Sequence, residues 1–146
     1  MEFRVSLAHW ADIAERVRPL RLAVFVVEQG VPAHLEMDDR DRHCLHALAE
    51  DASGAVIGTG RLLPQDAGVG RVGRMAVAPD WRGKGVGAAM LDALLAAARA
   101  RGDLLIELHA QLHAAPFYDR AGFARVGDVY EEAGIPHITM RRALTA

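Results

Sequence analysis

Cysteine is almost missing from this chain: Cys44 is the single one in 146 residues. An intrachain disulfide and a cysteine-built metal site are thereby excluded. An excess of one charge is missing too. The formal net charge of −2 gives no reason to expect nucleic acid, although local arginine-rich patches can still hold an anion. No apolar run approaches the about 18 residues of a membrane span, so no membrane partner is expected. The segment Met1–Val5 lacks the basic region and apolar core of a signal peptide, and a cytoplasmic location is the expectation. No repeat and no linker interrupts the chain. What remains is ordinary: 51% apolar and 25% charged residues, enough for one domain, 1–146, that buries a core without staples.

The most informative stretch is 71–91. Met75–Ala78 reads as a buried strand, ended by Pro79 and Asp80. A glycine-rich turn carrying Arg82 and Lys84 follows, and from Val86 the apolar residues recur at helical spacing. Glycines let backbone N–H groups approach a ligand, and the first helical turn leaves its N–H groups unpaired. Two cations beside the positive end of a helix complete an anion site, and a phosphate-bearing ligand is the natural partner. A P-loop does not fit, because Ala78 stands at its first glycine and Gly85 follows the lysine. Gly83, Gly85 and Ala88 fit a dinucleotide fingerprint, with Glu107 about 20 residues on. Against it, Pro79–Arg82 separates strand from turn, and the preceding half of the chain lacks βαβ pattern. The third pattern, Arg/Gln-x-x-Gly-x-Gly/Ala, is met by Arg82, Gly85 and Gly87.

Taken in order, Glu2–Ala8 alternates like a strand. His9–Phe25 is helical by the spacing of Trp10, Ile13, Val17, Leu20 and Val24, with Pro19 expected to break it into two pieces. Residues 33–43 are polar and charged, hence an exposed loop. Cys44–Glu50 and Val56–Leu63 form a hairpin about Asp51–Gly54 and continue into the strand at 71–78 as an antiparallel meander. The helix 84–101 carries Val86, Met90 and Leu94 on one ridge and Leu91, Leu95 and Ala98 on the next, and stops at Gly102. Leu104–Leu108 closes a βαβ crossover parallel to strand 71–78. A short helix, Ala114–Gly122, and strands 124–130 and 135–142 finish the chain.

The unit Met75–Gly87 resembles the acetyl-CoA pyrophosphate loop of the GNAT N-acetyltransferases, and Ala114–Phe123 is similar to the A-x-x-F-Y-E-x-x-G-F helix of that family. Arg21–Gln29 and Tyr130–His137 resemble the ElaA-like subgroup in particular. Ala133 departs from the acidic residue expected there, and His109 from a small one. The resemblance implies an α/β (α+β mixed) fold: a mostly antiparallel sheet of about seven strands, about four helices, and a splayed V between the two central strands. It implies acetyl-CoA as co-substrate, its pyrophosphate on Arg82, Gly83, Lys84, Gly85, Val86, Gly87 and Ala88. Its pantetheine arm would lie along Met75, Ala76 and Val77, with Gln111 beside it, Tyr118 at its acyl end and an N–H near Val77 polarising the thioester. The acceptor would be an amine-bearing small molecule or peptide; a homodimer stays open. The alternative is an acyl-CoA-binding sensor that keeps the fold without the chemistry.

Tyr118 is the candidate acid, since a phenol of reference pKa about 10 stays protonated at neutral pH and can donate to a departing thiolate. A lysine-like amine is neutral in only about one molecule in 2,500 at pH 7, against about one in six for an α-amine. A base is therefore needed for the former more than the latter. Glu28, Glu132 and His137 are its candidates, followed by Glu107, His109 and Glu131. Glu28 follows an apolar run and either faces inward or caps a solvated helix end. Cys44 reads as a small buried hydrophobe, and Trp10 and Trp81 as packing residues. His34, Glu36, Asp38, Asp39, Asp41, His43 and His46 have ligand-type side chains without metal spacing. They read as a solvated acidic loop, with no metal expected, that could favour a cationic acceptor.

Overall fold

The computed structural model describes residues 2–144. Seven strands form one sheet: β1 (Phe3–His9), β2 (Leu45–Asp51), β3 (Val56–Asp66), β4 (Val69–Val77), β5 (Leu105–Gln111), β6 (Ala124–Glu132) and β7 (Ile135–Ala143), in the order β1-β2-β3-β4-β5-β7-β6. Every neighbouring pair is antiparallel except β4 and β5. The α-helices are α1 (Trp10–Arg21), α2 (Ala33–Glu36), α3 (Val86–Ala100) and α4 (Ala115–Arg120).

α3 buries both of its expected ridges, with Val86, Met90, Leu91, Leu94, Leu95 and Ala98 at most 2% exposed. Each large apolar side chain removed from water in this way contributes roughly 1.5–3 kcal/mol. They pack on Leu62, Val72, Ile106 and Leu108 of the sheet. Glycines in β3 let the helix come close: a Cβ on Gly58 would lie 2.9 Å from the Met90 methyl, and one on Gly60 would collide with the Met75 sulfur.

The expected break at Pro19 does not occur. Pro19 lies inside α1, and the axis continues as a π-helical segment, Leu22–Glu28. The ring removes one N–H donor, but the buried stripe Ile13, Val17, Val24 and Phe25 runs through it, and that burial holds the segment together.

The expected exposed loop at 33–43 is corrected in part, since most of its residues are exposed as expected. It folds as α2 and a 3₁₀ turn, Asp41–His43, with Glu36 and Asp41 buried. Arg21, itself buried, donates to both carboxylates, and Arg61 binds Asp41 at 2.9 Å and Asp38 at 2.8 Å. Arginines from α1 and β3 thus neutralise three of the four acids that composition alone assigned to water, leaving Asp39 exposed.

Pairing of β4 with β5 covers only Val69–Val72 against Leu105–Leu108. Beyond that point β4 stays with β3 as far as Val77, while β5 stays with β7 as far as Gln111. β4 carries one extra residue there: Thr59 and Arg61 face Ala76 and Gly73, and Arg74 sits at φ 51°. Such a bulge bends a strand and increases its twist, and it opens the V between the two central strands.

Candidate active site

The V holds a cavity of about 360 Å³. Met75 from β4, His109 and Gln111 from β5, Tyr118 from α4, and Glu132 and His137 from the β6–β7 end all line it. Tyr118 is 8% exposed, and burial alone pushes its phenol up to about 12. Its ring packs edge-on against Phe117 and Phe123.

His137 Nδ1 lies 2.7 Å from the Ile135 carbonyl. A carbonyl only accepts, so Nδ1 carries the hydrogen, and the free lone pair of the neutral ring is at Nε2. That nitrogen lies 3.6 Å from a Glu132 oxygen, and the Tyr130 ring stacks on the imidazole. Gln111 donates through Nε2 to Gln29 Oε1 at 2.7 Å, whereas its own Oε1 is buried without a donor. An orphaned buried acceptor fits an N–H brought by a ligand.

A second cleft, of about 570 Å³, lies at the start of α3. Its lining includes Val77, Arg82, Gly83, Gly85, Val86, Gly87 and Ala88. The first amide of the turn to find a main-chain acceptor is that of Ala89, bonded to Gly85 at 3.0 Å. Among the described residues, amides 83–88 have no such partner. Gly83 and Gly85 sit at φ 75° and 87°, in the left-handed region where an L side chain is strained. A Cβ on Gly87 would touch the Phe117 ring at 3.4 Å. Lys84 is exposed on the same turn. The row of free amides at a helix start fits a diphosphate.

Ala78 N–H donates to the Ile57 carbonyl on β3 at 2.8 Å. Alternate residues of a strand turn their amides to opposite sides, so the amide of Val77 faces the gap. Ala76 is buried beneath Phe25 and Val24.

Glu28 does not face inward. Its carboxylate takes both terminal nitrogens of Arg82 at 2.6 Å and is 42% exposed. That hydrogen-bonded pair holds Glu28 below the usual glutamate range and raises Arg82, which is the reverse of what a general base needs. Glu107 on β5 pairs with Arg141 at 3.0 Å. Burial, the largest single influence, pushes its carboxyl up, but hydrogen bonds from Arg141, His109 and Gln65 together with the Arg141 charge hold it below the ordinary range. Cys44 is buried, with its thiol pushed up to about 11 by burial. Trp10 packs on His46 and under the Arg21 guanidinium, and Trp81 packs edge-on against Phe3. Glu36, Asp38 and Asp41 converge on arginines and only Asp39 stays exposed without an ion pair among the described residues, so the acidic wall expected from composition is largely neutralised. Arg71, which the sequence did not single out, also lines the V; its nearest signal was a cation at the foot of the buried strand.

A parted parallel pair beside an amide-lined helix start defines an acyltransferase scaffold. A family model described as an acetyltransferase (GNAT) domain matches residues 13–144, and the chain belongs to that family. A UPF0039 protein of Schizosaccharomyces pombe is 36% identical across 99% of this chain and 98% of its own length. The N-acetyltransferase YjcF of Bacillus subtilis, itself uncharacterised, is 36% identical over 84% of this chain and 87% of its own. Among solved structures, Escherichia coli ElaA superposes with a TM-score of 0.86 at 31% identity, covering 97% of this chain and 99% of its own. An acyl-CoA N-acyltransferase of Pseudomonas aeruginosa gives 0.84 at 36%, covering 97% and 100%. The chain is therefore an acyltransferase of the ElaA-like kind. No helix among the described residues is long and apolar enough to cross a membrane.

Proposed function

We propose that this chain transfers the acetyl group of acetyl-CoA directly to a primary amine of a small molecule or peptide, with Tyr118 as acid and His137 as base. The observation that carries this reading is the convergence of Tyr118, His137 and Glu132 on one cavity in the V. Free amides 83–88, with Arg82 and Lys84 beside them, supply the diphosphate site. Met75, Ala76 and Val77 offer strand backbone to the pantetheine arm, and the unpartnered Gln111 oxygen accepts one of its amide hydrogens.

His137 Nε2 takes a proton from the ammonium, and Glu132 stabilises the resulting imidazolium. The freed amine attacks the thioester carbonyl, forming a C–N bond, and the Val77 amide receives the developing oxyanion. Collapse breaks the C–S bond. Tyr118 gives its proton to the departing sulfur and is reprotonated by the second proton of the attacking nitrogen through solvent. A phenol with its pKa raised by burial remains fully protonated at neutral pH, as this step requires. Glu28 acts only on Arg82, as an exposed partner that competes with the diphosphate.

The test is release of free CoA thiol with acetyl-CoA and a panel of amines. Tyr118→Phe should lower kcat about 100-fold or more while acetyl-CoA binding, followed by calorimetry, stays within twofold. Tight acetyl-CoA binding with no turnover on any amine, and no effect of Tyr118→Phe, would instead support the sensor reading.

A further inference from the structure

The cavity in the V holds four arginines, and they differ in what they have to hold. Arg61 and Arg74 are engaged by Asp38, whereas among the described residues Arg40 and Arg71 make no ion pair. Arg71 rises from β4 where pairing with β5 ends and is half-buried. Of its guanidinium nitrogens, Nη2 meets His109 Nδ1 at 3.0 Å. Nδ1 must accept there and brings no negative charge of its own; Nε2 of the same ring donates to Glu107 Oε1 at 3.3 Å, and the other Glu107 oxygen holds Arg141 at 3.0 Å, so no carboxylate pairs with Arg71 directly. From this unpaired cation a polar row leads on: His109 Nδ1 lies 3.8 Å from one oxygen of Glu132, whose other oxygen lies 3.6 Å from His137. One end of the row offers a planar fork of donors, and the other offers a carboxylate beside an imidazole. Around them stand the apolar side chains of Phe25, Val31, Leu35 and Met75.

We infer that the acceptor is a free amino acid with an apolar side chain, its carboxylate bound by Arg71 and its ammonium by Glu132. A partly desolvated guanidinium with free donors matches a carboxylate in shape and charge. Glu132 holds the ammonium next to His137 Nε2, where the proton must go, and a cavity of about 360 Å³ accommodates a ligand of this size. Arg40, exposed and lining the same cavity, adds a second positive charge. This assignment rests on the acetyl-transfer reading for its chemistry, but the recognition it describes is measurable without turnover.

Leucine, leucinamide and isopentylamine are compared as acceptors by CoA release, and leucine and leucinamide by calorimetry on protein saturated with CoA. The expected kcat/KM for leucine exceeds that for leucinamide at least tenfold, even though the amide's amine loses its proton more readily. Arg71→Gln should remove the preference through KM with kcat little changed, and Arg71→Lys should keep part of it. The wild-type ratio needs no variant, so a misfolded Arg71→Gln does not spoil the test. Equal or better use of leucinamide or isopentylamine, or a preference that survives Arg71→Gln, overturns the inference. If no amine releases CoA, the acetyl-transfer reading fails by itself and calorimetry decides here. Leucine binding that needs Arg71 and is weaker for leucinamide sustains the inference; equal binding of both, or no leucine binding, refutes it.

Discussion

Replacing Arg21 by methionine keeps an unbranched apolar side chain of similar length and removes the charge, and this change should destabilise the fold by about 3 kcal/mol. The figure follows from burial. The Arg21 side chain is 2% exposed, and the carboxylates of Glu36 and Asp41 that it holds are 4% exposed. Removing one partner of a buried pair costs about 3–5 kcal/mol, because the desolvated partner stays behind without compensation. Asp41 retains Arg61 at 2.9 Å, so the uncompensated charge is essentially that of Glu36, and the lower end of the range applies. For a chain of this size about 3 kcal/mol lowers Tm by roughly 6–12 °C. Urea unfolding measures it directly, as a fall in the midpoint with the slope unchanged. The companion variant Arg21→Met with Glu36→Leu leaves no orphaned charge at that pair and should lose less than Arg21→Met alone. A cost below about 1 kcal/mol for the single variant, or a double variant as unstable as the single, would show that desolvation of Glu36 is not what the arginine offsets.

Two further outcomes follow from the placement of the carboxylates. Glu28→Gln should leave kcat within about twofold, since the Glu28 carboxylate is exposed on Arg82 and does not line the V, and should tighten acetyl-CoA binding by releasing Arg82. A hundredfold loss of kcat in steady-state turnover would restore Glu28 as the base. Asp38 is held below the usual carboxylate range, chiefly by hydrogen bonds from Arg61. A group with a depressed folded pKa stabilises in full above its unfolded value of about 3.9 and loses that contribution as pH falls through the folded value. Asp38→Asn should therefore be less stable than wild type at pH 7, with the gap narrowing below about pH 4. Urea midpoints between pH 2 and 7 read this, and a gap that widens on acidification contradicts it.

Much of the frame could be read along the chain because it rests on local periodicity. Both ridges of α3, the hairpin about Asp51–Gly54, the crossover from β4 to β5 and the glycine turn at 83–87 are each written within a short window. Apolar spacing and left-handed glycines act over one or two turns. Reading failed where the deciding partner was distant in sequence. Pro19 looked like a break because the burial that carries the helix through it comes from other elements. Glu36, Asp38 and Asp41 looked solvated because their arginines stand on α1 and β3.

The same division runs through the site. Sequence alone supplied the helix start with its glycines, Tyr118 on its helix, and a set of interchangeable acids and imidazoles. Which of those face the V was a matter of tertiary structure: Glu132 and His137 reach it from the β6–β7 end, whereas Glu28 turns outward to Arg82. The physical reason is range. Backbone conformation and amphipathic patterning are set by near neighbours, whereas the charge a side chain meets and the water it loses depend on segments brought together only when the sheet forms.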